Sequence, residues 1–229
     1  DRPVVVLAGS RRPLPHRMKP GQRAELFARL AAADPEPATE LSYHSPYQLL
    51  VAVILSAQAT DKGVNRVTGP LFKEAPTPAA IIALGEEKLA GHIQTIGLYR
   101  TKARNVIATS RLLLERHGGQ VPGDRAALEA LPGVGRKTAN IILNVVFGEP
   151  TIAVDTHIFR LANRTGLAPG KNVETVERGL LKAVPAQYRQ HAHHWLILHG
   201  RHVCKARKPE CWRCLIADLC AYRDKTPAP

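Results

Sequence analysis

The sequence predicts an all-α protein, and three observations carry that expectation. Across its 229 residues no window sustains the period-two alternation, bounded by turn signals, that marks β-strands. Apolar residues instead recur at three- and four-residue spacing, as in Leu26, Phe27 and Leu30. Ser45-Pro46 and Thr77-Pro78 each place an N-cap residue before a proline suited to the first helical position, and each opens an apolar run.

Taken in order, Asp1 to Lys19 reads as a flexible basic arm, because Pro3, Pro13 and Pro15 oppose helix. Gly21 to Ala33 forms an amphipathic helix that Asp34-Pro35-Glu36-Pro37 ends. Leu49 to Ala57 is apolar nearly all round and reads as a buried helix, followed by a more polar one from Asp61 to Phe72. Further helices fit Glu86 to His92 and Arg100 to Arg116. Asp124 caps a short helix through Leu131, with Leu128 and Leu131 on one face. Pro132-Gly133 stops it, Gly133 and Gly135 admit backbone conformations that a Cβ resists, and a helix follows from Arg136 to Phe147. The remaining helices lie near Asp155 to Thr165, Asn172 to Ala183 and Ala186 to His199.

Thirty-two basic against nineteen acidic residues give a net charge of +13, an excess that points to a polyanion and first to nucleic acid. Only 5% of residues are aromatic, which argues against the base-stacking platforms of single-strand binders. No apolar run approaches the roughly 18 residues of a membrane span, so a soluble protein is expected. Val4 to Ala8 falls short of the roughly seven residues of a signal h-region.

The chemistry gathers in LPGVGRKTANIILNVVFGEPTIAVDTHIFR, Leu131 to Arg160. Two glycines at a helix mouth leave backbone N–H groups unpaired where the helix dipole also favours negative charge, which makes a phosphate seat. Lys137, in the first turn of that helix, puts an amine within reach of the same phosphate. A Walker A motif is excluded, since Arg136 stands where that motif needs glycine and no strand leads in. The helix carries the chain about 16 Å from Lys137 at about 1.5 Å per residue. The loop Gly148 to Val154 spans at most roughly 23 Å, enough to bring Asp155 back beside it. By local pattern alone Asp155 is a plain N-cap, and Leu98, in Thr95-Ile96-Gly97-Leu98-Tyr99, is a hydrophobic staple for the next helix.

All four cysteines fall in the last 26 residues, as Cys204-x6-Cys211-x2-Cys214-x5-Cys220. Thiols so close together argue for metal rather than disulfides. Structural zinc sites use two short ligand pairs, and only Cys211 and Cys214 form one, whereas four thiolates suit a 4Fe-4S cluster. Lys205, Arg207 and Lys208 lie between the first two cysteines, either as a solvated charged loop or, tethered to a rigid metal group, as a phosphate clamp. His191, His193, His194, His199 and His202 read as capping, packing or phosphate-facing groups, and His157, beside Asp155, as a candidate for lining a base pocket.

LPGVGRKTA followed by VDTHIFR, with SAQATD (Ser56 to Asp61), IGLY (Ile96 to Tyr99), HHWLILHGR (His193 to Arg201) and the terminal cysteines, resembles the helix-hairpin-helix DNA glycosylases, and among them the endonuclease III family. The resemblance covers about Pro20 to Lys225. It implies two helical lobes with a DNA cleft between them: a six-helix barrel lobe carrying the hairpin at 39–149, and an iron-sulfur cluster lobe built from 20–38 and 150–229. It implies a bifunctional glycosylase and lyase of base excision repair that removes oxidised pyrimidines from duplex DNA, with Lys137 and Asp155 as the catalytic pair. Leu98 would wedge into the duplex and Gln58 would fill the gap left by the displaced nucleotide. Gly133, Gly135, Arg136 and the loop of Lys205, Arg207 and Lys208 join the DNA-binding set. Cys204, Cys211, Cys214 and Cys220 would hold a 4Fe-4S cluster. The partner implied is double-stranded DNA with damaged bases or abasic sites, met by a monomer in the bacterial cytoplasm, at the nucleoid and away from membranes.

Overall fold

The computed structural model describes residues 17–229. Most of the basic arm expected at 1–19 lies outside them. Its last part is tied down, because Met18 is buried and its N–H donates to Gly166 O at 2.8 Å. The described residues form α1 (Pro20–Ala33), α2 (Pro46–Leu55), α3 (Asp61–Glu74), α4 (Pro78–Leu84), α5 (Glu86–Ile93), α6 (Tyr99–His117), α7 (Arg125–Glu129), α8 (Arg136–Phe147), α9 (Thr156–Thr165), α10 (Val173–Ala183) and α11 (Arg189–His202), with no strand among them. None of these helices is long and apolar enough to cross a membrane.

The predicted caps close hydrogen bonds at the helix starts, where backbone N–H groups otherwise lack partners. Ser45 Oγ accepts from Gln48 N at 3.1 Å and Thr77 Oγ1 from Ala80 N at 3.2 Å. Asp124 Oδ1 and Asn172 Oδ1 each accept at 2.8 Å, from Ala127 N and Thr175 N. One expected helix is divided. After Pro185, Ala186–Tyr188 tightens into a 3-10 turn, and α11 then runs on to His202 rather than stopping at His199.

Two apolar clusters hold the helices. In the first, α2 is buried on every side, with Leu49, Leu50, Val51 and Leu55 fully enclosed by α3 to α8. In the second, Leu26, Phe27 and Leu30 of α1 pack with α9, α10 and α11. There Phe27 lies 6.0 Å from the Tyr188 ring and 6.4 Å from that of Trp195, whose Nε1 donates to Asp34 O at 2.7 Å. Each large side chain so enclosed contributes about 1.5–3 kcal/mol, which explains why the first helix is carried across to the last ones.

Ion pairs and close packing join the helices. Arg201 of α11 donates to Asp61 Oδ2 at 2.6 Å and to Glu40 Oε2 at 2.7 Å. Arg136 of α8 makes a two-point bond with Glu177 of α10, at 2.9 and 2.8 Å. Helices α9 and α11 meet at Gly200, where an added Cβ would lie 3.0 Å from His157 O and 3.1 Å from His157 Cβ. Gly200→Ala should therefore force the two helices apart and cost about 1–3 kcal/mol, read as a lower melting temperature; an unchanged melting temperature would show that the contact relaxes freely.

Candidate active site

Lys137 and Asp155 line one open cleft of about 850 Å³, together with Gln58, His157 and Arg201. Ligand sites are typically about 300–1,000 Å³, so this cleft is large enough for a base with its sugar. The return of the chain from Phe147 to Asp155 is fixed by two asparagines of α8. Asn144 Nδ2 donates to Glu149 O at 3.0 Å, Thr151 O at 3.3 Å and Gln190 O at 3.1 Å. One turn earlier, Asn140 Nδ2 donates to Ile152 O at 3.3 Å, and Asn140 O accepts from Thr151 Oγ1 at 2.5 Å. Both asparagines are buried, so the loop lies against the helix that carries Lys137.

Asp155 caps α9 through a single oxygen, Oδ1, which accepts from His157 N at 2.9 Å and Ile158 N at 2.8 Å. Its Oδ2 takes no hydrogen bond from the described residues, so capping and chemistry draw on different atoms. His157 is half-buried, and burial, with the charges of Arg160 and Arg201, outweighs Asp155 and holds its pKa below the ordinary value. Behind Lys137, fully buried His193 is pushed down to about 3, first by burial and then by His194, Lys137 and Arg201. Its Nδ1 accepts from Ala153 N at 3.3 Å, so a neutral imidazole helps hold the segment that delivers Asp155. Neither asparagine of α8 stands out in the sequence, because each reads as an ordinary helix residue, whereas His193 takes one of the packing roles expected of its group.

On the rim, Gln58 and Leu98 have φ of +54° and +58°. Left-handed backbone costs roughly 1–2 kcal/mol in a residue with a Cβ, and such strain clusters at functional sites. The two loops touch, since a Cβ on Gly97 would lie 3.9 Å from Gln58 O. Leu98 is 59% exposed, which corrects the staple expectation: a staple packs against its own helix, and this side chain does not.

In the hairpin, Gly133 has φ +80° and sits against Asn105, whose Nδ2 would be 3.0 Å from an added Cβ. Thr109 Oγ1 donates to Pro132 O at 2.8 Å, so α6 supports the turn from below. Gly135 is exposed at the start of α8. Arg136, grouped with the DNA-binding residues by sequence, commits its guanidinium to Glu177.

Cys204, Cys211, Cys214 and Cys220 line a common cavity with Leu161, His199 and Ile216. No three Cys, His, Asp or Glu side chains among the described residues stand close enough to hold one metal ion. Four thiols around one cavity are the donor set that a 4Fe-4S cluster takes. In the adjoining loop Lys205 Nζ donates to Glu210 Oε1 at 2.5 Å, and Arg213 pairs with the same carboxylate. That leaves Arg207 and exposed Lys208 as the loop's outward charges. The loop backbone is gripped from α9. Arg160 Nε donates to Cys204 O at 3.0 Å, and Arg164 donates to Lys205 O at 2.7 Å and Ala206 O at 3.0 Å.

Residues 51–186 match the family model of HhH-GPD superfamily base excision DNA repair proteins, and residues 204–220 match the iron-sulfur binding domain of endonuclease III. Endonuclease III of Escherichia coli strain K12 is 61% identical over 208 residues, covering 91% of this chain and 99% of that protein. Endonuclease III of Haemophilus influenzae is 59% identical over the same shares of both chains. Among solved structures, a trapped endonuclease III-DNA covalent intermediate matches with a TM-score of 0.83 and 43% identity, over 89% of this chain and 96% of that one. Two outcomes are expected. The protein should carry four irons and a broad visible absorbance that acid abolishes, against a colourless protein with one zinc. Leu98→Gly should leave the melting temperature unchanged or raise it, whereas a fall of several degrees would restore a packing role. Shared hairpin, cysteine lobe and identity along nearly the whole length place the chain in the endonuclease III family of base excision DNA repair proteins.

Proposed function

We propose that this chain is a bifunctional DNA glycosylase and abasic-site lyase that removes oxidised pyrimidines from duplex DNA. The observation that carries the reading is the placement of an amine, Lys137, and an uncommitted carboxylate oxygen, Asp155 Oδ2, on the wall of one cleft below a glycine hairpin. The reacting C1′ lies inside the helix, so the nucleotide must first rotate out. Exposed Leu98 then wedges into the stack and Gln58 occupies the vacated space, offsetting an unstacking cost of a few kcal/mol. The N–H groups around Gly133 and Gly135 hold a backbone phosphate.

With the sugar in place, unprotonated Lys137 Nζ bonds to C1′ as the C1′–N bond breaks and the damaged base leaves with a proton. Asp155 stabilises the positive charge that develops on the sugar and moves protons between the nitrogen and its surroundings. The C1′–O4′ bond then opens, O4′ taking a proton delivered through Asp155 as the lysine nitrogen gives one up, and the Schiff base so formed acidifies C2′. Loss of that proton breaks the C3′–O bond and releases the 3′ phosphate, and water returns the free lysine. Cys204, Cys211, Cys214 and Cys220 hold a 4Fe-4S cluster, which supplies a rigid cross-link for the C-terminal segment. Arg207 and Lys208 extend the grip on phosphates beside it.

The two apolar clusters support a division into a hairpin lobe at 39–149 and a cluster lobe at 20–38 and 150–229. The enzyme acts as a monomer on the bacterial chromosome, in the cytoplasm, on duplex DNA bearing damaged bases or abasic sites. Borohydride should trap a covalent complex between wild type and a lesion-bearing duplex, and Lys137→Gln should abolish both the adduct and strand cleavage. Lesion-bearing strands cut by the glutamine variant at wild-type speed would overturn the assignment; base release without cleavage would point to a glycosylase that uses water.

A further inference from the structure

We propose that Asn172 and Val173 read the extruded base: Val173 packs against the face of its ring, and the Asn172 amide donates to an exocyclic oxygen. The inference rests on the glycosylase reading above and assigns a specificity-determining wall to the same cleft. Lys171, Asn172 and Val173 line that cleft together with Lys137 and Asp155. Val173 is the only aliphatic side chain larger than alanine among the described residues lining it, and it is 46% exposed. Phe159 also lines the cleft but is partly buried, so Val173 is the more open apolar group and supplies the contact that a flipped base needs on one face.

Its neighbour supplies direction. Asn172 Oδ1 accepts from Thr175 N at 2.8 Å, which fixes the amide and leaves Nδ2 without an acceptor among the described residues. Both residues are held by a rigid turn. A Cβ on Gly170 would meet Thr175 Cγ2 at 2.9 Å and Val176 Cγ2 at 3.1 Å, so only glycine fits there. Gly170 N donates to Asn163 Oδ1 at 3.0 Å, and Asn163 belongs to α9, the helix that Asp155 caps. The wall and the reacting carboxylate therefore share one frame. Oxidation across the 5,6 bond of a pyrimidine keeps ring carbonyls for the amide and puckers the ring against the Val173 methyls, so both contacts sense the class of base to be removed.

An abasic site provides the internal control, since it presents the sugar with no base to read. Single-turnover rates would be measured on one duplex carrying an oxidised thymine, an oxidised cytosine or an abasic site, with wild type, Val173→Ala and Asn172→Ser, the last keeping an N-cap oxygen. Base release should fall by about tenfold in each variant, with a changed ratio between the two lesions, while abasic cleavage stays within about twofold. Equal losses on all three substrates, or no loss on any, would overturn the proposal. A wild type that leaves the abasic duplex uncut would instead overturn the lyase reading on which it stands.

Discussion

Everything in this molecule depends on a loop being folded back along its own helix. Helix α8 carries Lys137 at its start and ends about 16 Å away at about 1.5 Å per residue, so an unsupported chain would leave Asp155 remote from the amine. Asn144 and Asn140 reverse that. Their side-chain amides occupy the carbonyls of residues 149, 151 and 152. Ile152 is buried, so its carbonyl would otherwise lack a donor at a cost of about 1–3 kcal/mol. These bonds fasten the return path to the helix. The catalytic geometry is thus enforced by backbone satisfaction in a place with no chemistry of its own.

Around this hinge the charged side chains divide into those that build and those that face outward. Arg136 and Arg201 are consumed by carboxylates, with Glu177 5% and Asp61 14% exposed. Removing either arginine would leave a sequestered carboxylate and cost several kcal/mol, far more than a surface pair is worth. Such pairs consume equal numbers of both signs, so the excess of +13 stays available to a polyanion. Exposed Lys137 and Lys171 at the cleft and Arg207 and Lys208 beside the cysteines belong to it, while Lys205 is neutralised by Glu210.

Much of this was legible in the linear sequence. Helix boundaries followed the caps, because a Ser, Thr, Asp or Asn side chain bonding three residues ahead is a local event that local pattern captures. The cysteine spacing and the glycine hairpin were equally visible. Three features were hidden for a common reason: they depend on partners far along the chain. Nothing near Arg136 announces Glu177, nothing near Asn144 announces Gln190, and the exposure of Leu98 follows from how two loops meet. Local reasoning made Leu98 a staple, since a hydrophobic residue before a helix usually packs. Family likeness pointed the other way, toward the side chain that the structure leaves open.

Helix α9 is held at both ends by groups of different kinds. Its first turn is fixed by Asp155, and its later turns by Arg160 and Arg164, whose guanidinium groups clasp the carbonyls of Cys204, Lys205 and Ala206. The carboxylate at the cleft and the segment that carries the cysteines therefore share a single helix as their support.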